Sequence, residues 1–195
     1  MNIIDFAPPQ VSITPRLTAQ DFLALDPDSL LRRELIEGEI IDLASPTATH
    51  QFVLGKLYRY VDAFVTDSAL GQVYPAPLDI ILSSQDVVQP DVVYIATANP
   101  NCQLGDEDKW VGVPDLCVEI LSSNVRHDRL TKRALYEQFG VKEYWIVDPV
   151  GRYIEIHSLQ ENKLVLVALY QDGDTLESPL LPSLKIDLNQ VFPKG

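Results

Sequence analysis

Two carboxylates stand where carboxylates are hard to accommodate. Asp91 precedes the apolar run Val92 to Ile95, and Glu119 lies inside Leu116-Cys-Val-Glu-Ile-Leu121. Strands of such continuous apolar composition are normally buried on both faces, where an unpaired acid is strongly unfavourable. The segment after the second run brings Lys132. Two strand-borne acids and a lysine suit a hard divalent cation, which takes oxygen ligands and activates water. The chemistry served best is hydrolysis of a phosphate ester. That reaction needs charge neutralisation, an activated water and a stabilised leaving oxygen, and a lysine adds positive charge where negative charge develops.

The elements that must position these groups follow from periodicity and turn chemistry. Residues 1–17, with prolines at 8, 9 and 15, form an extended N-terminal arm, and 18–195 form a single domain. Thr18-Ala-Gln-Asp21 is a capping box that starts a short helix through Leu25, stopped by Pro27. Arg33 to Leu43 turns back on itself at Glu37-Gly38. His50 to Thr66 is amphipathic, with Val53, Leu57, Tyr60, Val61 and Phe64 on one face and Thr47 or Thr49 as its cap. Gln72 to Leu82 reads as one strand, its first half made an edge or bulge by Pro75 and Pro77. Ser83 to Val88 reads as a turn, and Thr97 to Val113 as a polar connection anchored by Trp110. A helix from about Asp128 to Phe139 stops at Gly140, and Glu143 to Asp148 is a strand closed by Pro149. Further β segments follow: a hairpin across Gln160-Glu-Asn162, a turn at Asp172-Gly-Asp174, and a last short strand at Leu184 to Leu188.

Composition narrows the field. An apolar fraction of 46% and a charged fraction of 22% are those of a globular chain able to bury a core. Two cysteines, Cys102 and Cys117, give no disulfide framework and no metal-binding pair, so a reducing, cytoplasmic setting is expected. No apolar run approaches the ~20 residues that a membrane span needs. A net charge of −13 argues against a broad duplex-coating surface, because such affinity comes from many Lys and Arg on phosphates. It leaves room for an enzyme with one local basic patch. Arg126, His127, Arg129, Lys132 and Arg133 are that patch, and they mark Arg126, Arg129 and Arg133 as phosphate or nucleic-acid contacts.

Several stretches together carry a resemblance: Glu34-Leu-Ile-Glu-Gly-Glu-Ile40, His50 opening a helix, Pro90-Asp-Val-Val93 and Val118-Glu-Ile-Leu-Ser-Ser123. Asp128, Lys132 and Tyr136 continue it, and Gly140-Val-Lys-Glu-Tyr-Trp-Ile-Val-Asp-Pro149 is its most specific part. Over residues of roughly 18 to 190 the chain resembles the Uma2-type endonuclease family, long called a domain of unknown function (DUF820) and abundant in cyanobacteria. That family falls within the restriction-endonuclease-like PD-(D/E)xK superfamily. The resemblance implies an α/β fold: a mixed-sheet core in the order α-β-β-β-α-β, with additional β-hairpins at both ends. It implies a Mg²⁺- or Mn²⁺-dependent phosphodiesterase acting on nucleic acid, DNA before RNA, with Asp91 and Glu119 as metal ligands and Glu34 as a third carboxylate. The usual lysine two residues after the acid is here Leu121, and Lys132, one helical turn from Tyr136, takes its place.

Plainer assignments stand beside these. Asp91 after a proline is also a turn former, Glu34 a solvent-facing hairpin residue, and Lys132 a partner for Asp128 on a solvated face. His50 serves as a proton or phosphate contact or as a structural histidine, and Asp79 competes with Asp91 for the metal. A non-enzymatic binding or assembly protein that kept the fold is the alternative reading, and hydrolysis of another phosphate ester a third. Terminal β segments offer edges through which a homodimer would pair.

Overall fold

The computed structural model describes residues 16–25, 32–122 and 127–193. The N-terminal arm through residue 15 and Pro27 lie outside the described residues. A five-residue helix, α1 (Ala19–Leu23), is closed by the expected capping box between Thr18 and Asp21. The hairpin β1 (Arg33–Ile36) and β2 (Glu39–Asp42) turns at Glu37 and Gly38, both with positive φ, as a two-residue turn matched to strand twist requires. Gly38 has a second reason to lack a side chain: a Cβ there would meet Arg16 Cβ at 2.6 Å.

The helix α2 (Ala48–Asp67) is capped by the Thr47 hydroxyl, which accepts the His50 N–H. Its buried residues Val53, Leu57, Val61 and Val65 recur every fourth position, while Tyr60 and Phe64 lie at the border of the apolar cluster. Then come β3 (Gly71–Pro75), β4 (Ile80–Ser83), β5 (Asp86–Val88), β6 (Val92–Ala96), β7 (Cys102–Leu104), β8 (Trp110–Gly112) and β9 (Leu116–Ile120). A π-helical turn over His127–Lys132 runs into α3 (Arg133–Phe139), which ends on left-handed Gly140. Finally come β10 (Glu143–Asp148), β11 (Tyr153–Gln160), β12 (Lys163–Gln171), β13 (Thr175–Glu177) and β14 (Lys185–Asp187).

The strands build two six-stranded sheets and a small β13–β14 hairpin. The first sheet has the order β2-β1-β5-β4-β8-β7, the second β12-β11-β10-β9-β6-β3. Within the second, α2, β3, β6, β9, α3 and β10 are the expected α-β-β-β-α-β core, with β9 and β10 parallel and β6 antiparallel to β9. Hairpins at both ends of the chain complete the expected architecture.

Three readings are corrected. Gln72 to Leu82 is not one strand: Pro75 ends β3, an edge of the second sheet, and β4 belongs to the first. Ser83 to Val88 is not only a turn, because β5 pairs with both β1 and β4. Thr97 to Val113 carries β7 and β8, with half-buried Trp110 tilted against the Tyr74 ring, centroids 5.8 Å apart.

One apolar cluster joins the sheets. It combines Ile36, Ile80, Leu82 and Val88 of the first with Val93, Ile95, Cys117, Tyr144 and Ile146 of the second, sealed by Leu135 and Tyr136 of α3. The opposite face of the second sheet packs on α2 and on the C-terminal segment through Leu176, Ile186, Leu188 and Phe192. Glu143 pins that segment, accepting from Trp145 Nε1, Ser178 Oγ and the Leu180 N–H. The outer edge at β12 is partly occupied: the Arg133 guanidinium donates to Leu164 O, and Glu137 accepts the Leu164 N–H. Pairing of two copies along this edge is obstructed there. No helix among the described residues is long and apolar enough to cross a membrane.

Candidate active site

The ladder between β6 and β9 places the two acids. Val92 pairs with Val118, so one step further along the antiparallel register Asp91 faces Glu119. Alternation puts Asp91 with Val93 and Ile95, and Glu119 with Cys117 and Leu121, on the sheet face that looks toward the first sheet. Asp91 is fixed by its own strand neighbours: its Oδ2 accepts the Ile120 N–H at 2.8 Å and meets His50 Nε2 at 3.1 Å. His50 is held in the first turn of α2 by the Thr47 cap; its Nδ1 is buried without a hydrogen-bond partner among the described residues.

Glu119 meets the helix that follows. Lys132 donates to Glu119 Oε1 at 2.7 Å, to Glu34 Oε1 at 2.5 Å and to the Tyr136 hydroxyl at 3.2 Å. The Tyr136 hydroxyl in turn donates to Glu119 Oε1 at 2.6 Å. All four residues are buried, Glu34 completely, so the readings of a solvent-facing Glu34 and of a Lys132 on a solvated face are both overturned. The physical reason is that β1 is not an outer strand. It lies between β2 and β5, and the Gln89 N–H just after β5 donates to Glu34 Oε1 at 2.7 Å.

Burial by itself lowers the pKa of the Lys132 ammonium, but the charges of Glu119 and Glu34 outweigh it and hold the group above the ordinary lysine value. For Tyr136, burial first and the Glu119 charge second push the phenol well up, so it stays a hydrogen-bond donor.

These groups surround a cavity of ≈ 50 Å³ lined by Glu34, His50, Asp91, Glu119 and Lys132 in its depth, and by Arg32, Asp42, Gln89 and Ser122 among others. A divalent ion fits this donor set. The oxygens are hard, Asp91 and Glu119 oppose one another, and three buried carboxylates face one ammonium. The volume exceeds the ~10–15 Å³ that one water needs. No three His, Cys, Asp or Glu among the described residues converge to hold an ion by themselves. The remaining positions would be water, as Mg²⁺ commonly keeps.

The structure thus brings together six expected residues: Glu34, His50, Asp91, Glu119, Lys132 and Tyr136. It does not bring Asp79, which accepts from Gln89 Nε2 at 2.9 Å and Lys109 at 3.5 Å and does not line the cavity. Arg129 is engaged by Glu155 and the Tyr153 hydroxyl, and Arg133 by Leu164 O, both on the side of α3 that faces β11 and β12. Arg126 lies outside the described residues. The polar cavity residues missed were Arg32, Asp42, Gln89 and Ser122, and of these Arg32 and Gln89 could have been found. A signal existed, since each stands two positions before a site acid, Arg32 before Glu34 and Gln89 before Asp91, the spacing that shares a side in extended chain.

Comparison with known proteins agrees with this fold. Residues 19–189 match the Uma2 family, described as "Putative restriction endonuclease". An uncharacterized protein of Synechocystis sp., sll1609, is 27% identical over 144 residues, covering 71% of this chain and 78% of its own. The fold is that of a crystal structure titled as a "putative nuclease belonging to DUF820" from Anabaena variabilis. Its TM-score is 0.70 at 18% identity, covering 90% of this chain and 97% of that one. The matched span takes in every element that carries the site, and the chain belongs to the Uma2 family.

Proposed function

We propose that the protein is a metal-dependent endonuclease that hydrolyses phosphodiester bonds in nucleic acid, DNA before RNA. The observation that carries this reading is Asp91 opposite Glu119 at a buried cavity in which three carboxylates face a single lysine. Mg²⁺ or Mn²⁺ held by these two residues supplies a Lewis acid and an activated water. The chain's own residues do the rest. The Ile120 N–H and His50 orient Asp91, while Lys132 and Tyr136 orient Glu119. Lys132 ties Glu34 to Glu119 and so holds the first sheet to the second at the cavity. In this reading Lys132 is a positioning residue, because each of its three N–H donors is already engaged.

The same saturation favours a second reading, a binding or assembly protein that kept the fold. Leu121 stands at the position where the superfamily's lysine is expected, buried and apolar.

One experiment separates them. Supercoiled plasmid and single-stranded DNA are incubated with Mg²⁺ or Mn²⁺ and wild type, Asp91→Asn or Glu119→Gln. The nuclease reading expects cutting that needs the metal and drops at least about a hundredfold in both variants. Absence of cutting by wild type, with no Mn²⁺ uptake by calorimetry, leaves the binding protein.

A further inference from the structure

We propose that Arg32 is the residue that grips a phosphate of the nucleic-acid substrate at the mouth of the cavity. The inference rests on the nuclease reading and adds a substrate contact to it.

Among the described residues, Arg32 and Lys132 are the Lys and Arg side chains that line the cavity. Lys132 has no donor to offer, since Glu34, Glu119 and Tyr136 take all three. Arg32 is half-buried and differently placed. Its Nε donates to Gln89 Oε1 at 3.2 Å, and Gln89 is itself fixed by Asp79 through its Nε2 at 2.9 Å. This chain of hydrogen bonds anchors the guanidinium at its inner edge. No described residue takes the Nη1 or Nη2 groups.

The neighbouring rim acid, Asp42, is already matched by Arg33 Nε at 3.0 Å, so it does not compete for Arg32. A planar guanidinium held by Nε with its outer nitrogens directed elsewhere is suited to paired hydrogen bonds with the oxygens of a phosphate.

Electrostatics favours such a group. Glu34, Asp91 and Glu119 line the cavity and the chain as a whole carries −13, so a cation at the rim lowers the repulsion that an approaching phosphodiester meets. Arg129 and Arg133, the cations expected for this role, are engaged on β11 and β12.

The test uses the full chain in a Glu119→Gln background, which removes cutting, and measures binding of labelled duplex and single-stranded DNA at about 50 to 200 mM salt. Adding Arg32→Ala is expected to weaken duplex binding about tenfold. It also reduces the slope of log K against log salt by about 0.9, the value of one released phosphate counterion. Arg32→Lys keeps the slope and loses part of the affinity. Gln89→Leu, which frees the guanidinium but keeps its charge, does the same and serves where Arg32→Ala does not fold. Unchanged affinity and slope in the Arg32→Ala variant, while the background protein binds, overturns the Arg32 assignment and leaves the nuclease reading in place. Failure of the background protein to bind any nucleic acid overturns both.

Discussion

At the scale of single residues, Lys132 is a buried cation paired with two buried carboxylates, Glu34 and Glu119. Lys132→Met keeps the volume and removes the charge, leaving Glu34 and Glu119 facing each other. Loss of one partner from a buried ion pair typically destabilises by about 3–5 kcal/mol, and urea unfolding should show a decrease of that size. A second prediction concerns His157, buried on β11. Burial first, then the nearby Arg133, lower its pKa below the ordinary histidine value. The unfolded chain therefore binds this proton more readily than the folded one, and stability is lost as pH falls through about 6.5. His157→Leu should flatten that part of the melting-temperature curve between pH 7 and pH 5. The acids Asp91 and Glu119 were legible in the sequence because a carboxylate in an apolar run stands out. Glu34 was legible only through resemblance: nothing within Arg33 to Ile36 reveals that β5, about fifty residues on, will pair with β1 and bury it.

At the scale of elements, long strands and helices announced themselves and short strands did not. The fourfold spacing in α2, the two-residue turns at Glu37-Gly38 and Glu161-Asn162, and the glycine at the end of α3 are local signals, and each element formed close to where it was expected. β5, β7 and β8 have three residues each, too few to show a period, and exist only because distant partners satisfy their backbone groups. The polar pins between elements were equally hidden. Glu143 joins β10 to the segment before β14 by three accepted hydrogen bonds. Burial is the largest influence on it and raises its pKa. Glu143→Ala leaves the Trp145 indole, the Ser178 hydroxyl and the Leu180 N–H without that acceptor. A loss of about 2–4 kcal/mol is expected, with faster proteolytic cutting near residue 180 as the local signature. At the other edge, Arg133 and Glu137 occupy the backbone of Leu164, while Val165, Leu166, Val167 and Leu169 of β12 remain exposed. Removing both guards, as Arg133→Ala with Glu137→Ala, opens a long apolar edge. Light scattering should then report concentration-dependent association that wild type lacks.

At the scale of the whole molecule, the composition had allowed an acidic enzyme with one local basic patch. Of the described part of that patch, Lys132 alone reaches the cavity, joined there by Arg32, while Arg129 and Arg133 are engaged on β11 and β12. The architecture itself was readable as the α-β-β-β-α-β core. The first sheet was not, because its strands come from three separate parts of the chain and are interleaved with those of the second. Yet the site needs both sheets. Glu34 reaches it from the first, Asp91 and Glu119 from the second, and Lys132 bridges 98 residues back to Glu34. That separation has a kinetic consequence. Closing so long a loop is entropically slow, so the cavity is expected to assemble in a late docking step of folding. On refolding from urea, cutting activity should return with the slowest spectroscopic phase and never ahead of it. A chain still leaving the ribosome with α3 inside the exit tunnel exposes Glu34 and Asp91 but neither Glu119 nor the lysine that ties Glu34 to it. Under the nuclease reading, such a chain cannot cut the nucleic acids around it until α3 has emerged.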